Sequence, residues 1–118
     1  MKIAVIPNLD KRDADTYTRE ILAVLQENGA ETLMHEKHRG QYEHVTFCKN
    51  HAALAESCDL IVAVGGDGTI IHTAKHASVA GKPILGVNLG RLGFLAGVEK
   101  DELHKLKAVF TGDYRVRR

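Results

Sequence analysis

Tryptophan is absent from this 118-residue chain, and only three Phe and three Tyr are present. A core with so few rings must be built from aliphatic side chains. Cysteine is scarce: Cys48 and Cys58 are too few for a disulfide scaffold and read as free thiols of a reducing, cytoplasmic setting. Long apolar runs are missing. The longest, residues 3–7 and 60–64, fall far short of the ~20 residues that cross a bilayer. The first is also too short for the h-region of a signal peptide. Excess charge is missing too, since 16 Lys+Arg against 15 Asp+Glu leave +1. That is no footprint for nucleic acid, so neither nucleic acid nor a membrane is an expected partner. With 44% apolar and 26% charged residues, the composition is that of one ordinary globular domain.

What the chain does have is eleven glycines and an alternation of short apolar runs with helical patterns. Residues 2–6 form a nearly continuous apolar run ended by Pro7-Asn8, a strand buried on both faces. Residues 9–15 are polar and loop-like. Tyr17, Ile21, Val24 and Leu25 follow the helical period over about 15–28, and Gly29 fits the position after a helix end. Residues 31–35 predict a weak second strand and 36–45 an irregular connection. Ala52, Ala53, Leu54 and Ala55 favour a short helix over 50–57. Residues 59–64 predict a buried strand, 69–79 a helix, and 84–87 another buried strand. A loop carrying Gly90, Gly93 and Gly97 follows, then a helix over 101–110. Strand and helix thus alternate about four times. The expected fold class is α/β, a Rossmann-like doubly wound parallel sheet. Residues 114–118 start a strand-like alternation, and their three arginines supply the slight basicity.

Gly65-Gly66-Asp67-Gly68-Thr69 lies between a buried strand and a helix, where doubly wound sheets bind ligands. Glycines there permit positive φ and close approach of a phosphate to the backbone. The helix N-terminus behind them offers free N–H groups. No Gly-Lys-Ser/Thr follows, so this is not a Walker loop. Asp67 has three readings: general base for an attacking hydroxyl, contact with a phosphate-bound Mg²⁺, or a plain helix N-cap. A second segment, Val87-Asn88-Leu89-Gly90-Arg91-Leu92-Gly93-Phe94-Leu95, also leaves the end of a buried strand. Its four large apolar residues either pack under the loop or wall a pocket. Asn88 either bonds a ribose or holds the turn. Arg91 either meets phosphate or is solvated.

Together the two motifs, with Gly86 ahead of the second, resemble the NAD kinase family, over nearly the whole chain. Diacylglycerol-type lipid kinases and phosphofructokinases share the first motif; the second favours NAD kinases. The resemblance implies a phosphofructokinase/NAD kinase-like N-terminal domain. It implies an enzyme that phosphorylates the adenosine-ribose 2′-hydroxyl of NAD, with ATP or polyphosphate as donor and a divalent cation such as Mg²⁺ present. Asp67 matches the family's catalytic Asp, and Gly68 the neighbour that touches the same nucleotide. Gly66 belongs to the same nucleotide-binding loop, as Asn88 does to the second motif. His72 matches a nucleotide-contacting His or Arg, and Phe94 the aromatic of the adenine pocket. Family members are about twice as long and form homodimers or tetramers. Residues 1–112 are therefore expected to be the nucleotide-binding domain, and 113–118 the start of the connection to a β-rich C-terminal domain. No Asn-Glu pair follows residue 100, so this stretch alone is expected to show little or no kinase activity. The alternatives are a diacylglycerol-type lipid kinase domain and a non-catalytic dinucleotide-binding module.

Seven histidines invite a metal reading. His72 and His76 have i,i+4 spacing but lack the Glu of His-Glu-x-x-His. Cys48, His51 and Cys58 lack the paired spacing of a zinc module, so no metal ligands are expected among them. His35, His38 and His44 read as polar loop residues.

Overall fold

The computed structural model describes residues 1–12 and 14–89, with the backbone of 98–99. Six parallel strands, β1 (Lys2–Pro7), β2 (Glu31–His35), β3 (Val45–Cys48), β4 (Leu60–Gly65), β5 (Ile84–Asn88) and β6 (Val98–Glu99), stand in the order β3-β2-β1-β4-β5-β6. That is the Rossmann order, with its turning point between β1 and β4. Three helices are described: α1 (Ala14–Glu27), α2 (His51–Ser57) and α3 (Asp67–Ala80).

Alternation along the strands sorts the core into two layers. Ile3, Val5, Leu60, Val62, Val64, Leu85 and Val87 face one side, where Ile21, Leu22 and Leu25 of α1 cover part of them. Ala4, Leu33, Ile61, Ala63 and Ile84 face the other, under Leu54 of α2 and Ile70 and Ala77 of α3. Every residue of β4 and β5 is buried, which is why their sequences read as unbroken apolar runs. The expected doubly wound sheet is therefore what forms. No helix among the described residues is long and apolar enough to cross a membrane.

Local signals place the helix ends. Gly29 and Gly81 take the left-handed region, with φ of 84° and 69°, where a Cβ would be strained. The Lys82 N–H reaches back to the Ala77 carbonyl at 2.8 Å. Asn50 caps α2, its side-chain oxygen accepting from the Ala53 N–H at 2.8 Å.

Two expectations need correction. The connection after β2 is not irregular throughout. It holds a 3-10 turn, Glu36–His38, and runs into β3, which pairs with β2 from Thr32↔Val45 to His35↔Cys48. β3 is an edge strand of four residues with no fully buried position, so it lacks the apolar run that marks a central strand. His38 is also no solvated loop residue: it is buried, its ring 6.0 Å from that of Tyr42. The expected helix over 101–110 and the tail lie outside the described residues.

Tyr42 ties this connection to α1. Its buried hydroxyl donates to Asp15 Oδ1 at 2.8 Å. Arg19 donates to Asp15 Oδ2 and to the Gln41 carbonyl, each at 3.1 Å, with its guanidinium 4.8 Å from the Tyr42 ring centre. The Tyr42 hydroxyl, and then Arg19, hold the Asp15 carboxyl below its ordinary value. Tyr42→Phe should cost roughly 1 kcal/mol near neutral pH. Because the folded pKa of Asp15 is depressed, that advantage is full above the ordinary carboxylate value of ~3.9. It fades as pH falls through the folded value. Urea unfolding of both proteins at about pH 7 and about pH 3 checks this, the difference shrinking in acid.

Candidate functional site

Because the strands are parallel, Pro7, Gly65 and Asn88 end β1, β4 and β5 at one edge of the sheet. The ladder continues past them. The Asn8 N–H bonds the Val64 carbonyl at 2.8 Å, and the Leu89 N–H bonds the Gly65 carbonyl at 2.9 Å. The chain turns directly from β4 into α3, whose N-cap is Gly66 and whose first residue is Asp67. No side chain caps this helix, so the N-cap reading of Asp67 fails.

The glycines of this loop do not serve positive φ, contrary to expectation: only Gly29, Gly40 and Gly81 have it among the described glycines. Their role is room. A Cβ at Gly65 would sit 2.8 Å from Cβ and Oγ1 of Thr69, and one at Gly66 would sit 3.1 Å from Cε of Lys11. At Gly68 nothing lies within 4 Å, so the backbone at that position faces open space.

Asp67 is half-buried. Asn88, almost fully buried, donates its amide to Asp67 Oδ1 at 2.6 Å. The contact joins the ends of two elements 21 residues apart in sequence and fixes one carboxylate oxygen. On the other side of α3, Asn8 donates its amide to Thr69 Oγ1 at 3.1 Å.

A cavity of about 540 Å³ opens on that side, at the turning point of the strand order, lined among others by Asn8, Lys11, His35, Gly68, Thr69 and His72. The structure thus brings Gly66, Asp67 and Asn88 together at the edge, and Gly68 and His72 into the adjoining cavity. Phe94 lies outside the described residues. No role was read from the sequence for Asn8, Lys11 or Thr69, although Thr69 closes the first motif and Pro7-Asn8 marks the end of the first strand. Among the described residues no group of three His, Cys, Asp or Glu could hold a metal ion. Cys48 and Cys58 are free thiols, and burial pushes both above their ordinary value.

Comparison with known proteins gives a consistent picture. The family model for the ATP-NAD kinase N-terminal domain matches residues 3–114. A NAD kinase of Ruminiclostridium cellulolyticum is 35% identical over 104 residues, which is 88% of this chain and 36% of that protein. One from Caldanaerobacter subterraneus is 33% identical over 116 residues, 98% of this chain and 41% of that protein. This chain therefore spans about two fifths of the length of these curated relatives. Among solved structures, an Archaeoglobus fulgidus NAD kinase in complex with ATP is 26% identical with a TM-score of 0.65. That match covers 95% of this chain and 38% of the other. The yeast NADH kinase complexed with NADH shares the fold at 20% identity and a TM-score of 0.71, over 94% of this chain and 37% of that one.

The two glycines flanking Asp67 by two and one positions should respond oppositely to alanine. Gly65→Ala forces Thr69, stiff at its branched Cβ, out of place, at a cost of roughly 1–3 kcal/mol. Gly68→Ala meets no atom and removes a flexible residue from a helix, for a gain of up to about 1 kcal/mol. Thermal unfolding of both variants checks the signs.

Proposed function

The chain belongs to the NAD kinase family, and from that premise we propose that it is the nucleotide-binding part of an enzyme that phosphorylates the 2′-hydroxyl of the adenosine ribose of NAD to give NADP. One observation carries the reading: the 2.6 Å bond from the buried Asn88 amide to Asp67, at an edge where Gly68 leaves the backbone of α3 open. A carboxylate at a phosphate site repels its ligand unless it has work to do there. Held by Asn88, it is oriented to accept the proton of an attacking hydroxyl, as the catalytic Asp of other kinases does.

The roles follow. Asp67 accepts the 2′-hydroxyl proton as the oxygen attacks the terminal phosphorus of ATP or polyphosphate; the bond from that phosphorus to its bridging oxygen breaks, and ADP or the shortened polyphosphate leaves. Asn88 is a positioning residue that keeps the carboxylate from turning away. Gly66 and Gly68 let the nucleotide approach the start of α3, and the N–H groups there favour its negative charge. His72, one turn beyond Gly68 on the same helix, contacts the nucleotide, and Phe94 walls the adenine. A divalent cation would enter on the donor's phosphates, because the described residues offer it no ligand set of their own. No step here runs through it.

Residues 1–112 form the nucleotide-binding domain in this reading, and 113–118 lead toward a β-rich domain that completes the NAD site. The stretch alone then has little activity, and the full protein works as a homo-oligomer. The free thiols of Cys48 and Cys58 suit a cytoplasmic enzyme.

In the full-length enzyme, Asp67→Asn should lower kcat by about 10²–10⁴-fold while KM for NAD changes little. Steady-state NADP formation measures both, and a kcat near that of the unchanged enzyme would overturn the base role. Gly68→Ala should instead raise KM for the nucleotide while the fold gains stability, separating ligand approach from packing.

A further inference from the structure

Four imidazoles run in a row beside the cavity. Ring centroids are 5.0 Å apart for His35 and His51, 5.5 Å for His51 and His76, and 5.0 Å for His76 and His72. Each pair meets edge to face. They come from three elements: His35 ends β2, His51 opens α2, and His72 and His76 are one turn apart on α3. His35, His51 and His72 line the cavity with Lys11, Lys37 and His38, and His76 stands behind them. No carboxylate is among the lining residues.

The acidic groups of the surrounding elements do not line the cavity. Asp10, beyond β1, is exposed. Glu36 of the 3-10 turn pairs with Arg39 at 3.4 Å. Glu56 of α2 lines a separate groove with His51 and His76. Asp67 of α3 is bonded by Asn88. A cavity walled by imidazoles and ammonium groups with no opposing carboxylate suits an anion. A row of donors suits an extended anion better than a compact one.

Within the row, His51 resists taking a proton when nothing negative is present. Burial, then the charges of His35, His76, Lys37 and His72, holds His51 below its ordinary value. Burial does the same to His38, where a bond to Gln41 opposes it and the Lys37 and His35 charges add to it. His35 Nδ1 accepts from the Lys37 N–H at 3.0 Å, so its neutral ring carries the proton on Nε2. An anion in the cavity reverses the balance, because it favours the charged form of every ring facing it.

We propose that the imidazole row is a proton-linked site for a chain of linked phosphates, free or carried by a nucleotide, whose affinity rises as the pH falls. The proposal builds on the kinase reading, since a phosphate chain next to Asp67 is a donor, but binding can be read without turnover. Calorimetric titration of the full chain with inorganic tripolyphosphate, without metal, between about pH 8 and about pH 6, tests it. Affinity should rise toward about tenfold per pH unit for each proton taken up. His51→Gln and His76→Gln should each flatten that slope with the circular dichroism unchanged. Lys37→Gln, on an exposed side chain, should weaken binding without abolishing the slope, which moves toward higher pH because the Lys37 charge no longer opposes protonation of His51. ATP is the second probe. Equal slopes mean that the row reads the phosphate chain alone, and a slope with ATP but none with tripolyphosphate overturns the proposal. So does a pH-independent affinity, or a full slope in both histidine variants. Asp67→Asn should keep the slope here and lose turnover in the full-length enzyme, so failure of the base role and failure of the row are told apart.

Discussion

β4 pairs with β1 on one side and β5 on the other so that Pro7 stands across from Val64 and Gly65 across from Asn88. Two demands meet in that register. Side chains alternate between faces, so a slip of one residue in β4 would exchange Leu60, Val62 and Val64 with Ile61 and Ala63 between the two core layers. The same slip would take Asn8 away from Thr69 and Asn88 away from Asp67. Packing of the aliphatic core and placement of the edge residues are therefore one constraint, enforced by the buried area of three strands. The site needs no separate scaffold, because the hydrophobic pattern already specifies which residues end each strand.

The second requirement is close approach of α3. Gly65 ends β4 under Thr69, and Gly86 lies within β5 under Ile70, where a Cβ would come within 3.1 Å of the isoleucine side chain. With no side chain at either place, the helix settles low on the sheet and its first turn begins directly at the strand end. These glycines differ in kind from Gly29 and Gly81, whose φ closes a helix. One pair gives room between layers and the other gives backbone freedom, and a sequence pattern does not separate the two.

That distinction explains what could be read from the residues. β1, α1, β4, α3 and β5 were legible because burial on two faces, or on one helical face, writes an apolar period that local reading detects. β3 was not: Val45–Cys48 is a short edge strand with mixed exposure, so its pairing depends on β2 and not on its own pattern. Asp67 and the strand-to-helix setting of its loop were legible, whereas its bond to Asn88 was not, since it joins residues 21 apart. The row of His35, His51, His76 and His72 is the extreme case. The spacing of His72 and His76 stood out within α3, but nothing in the sequence joined them to His35 and His51, and only the parallel sheet, which brings the end of β2 and the starts of α2 and α3 to one edge, sets all four side by side.

The period of α3 also keeps opposite charges apart. Positions 68, 72 and 76 share one helical face, with 69 and 73 beside them, and residues of that face line the cavity with Lys11 and the imidazoles. Asp67 is one residue, and so about 100°, off the leading edge of that face, and its partner Asn88 lies on β5, away from β1. In the proposed reaction this matters: a base must stay close to the acceptor hydroxyl without neutralising the groups that hold the donor. A carboxylate one position later would stand at i,i+4 to His72 and pair with it. Moved to position 68, the acid would lose Asn88 as a guide and would place a negative charge in the cavity proposed for phosphate. In the proposed reaction, the single-residue offset between Asp67 and the cavity face would let one helix serve both halves of the transfer.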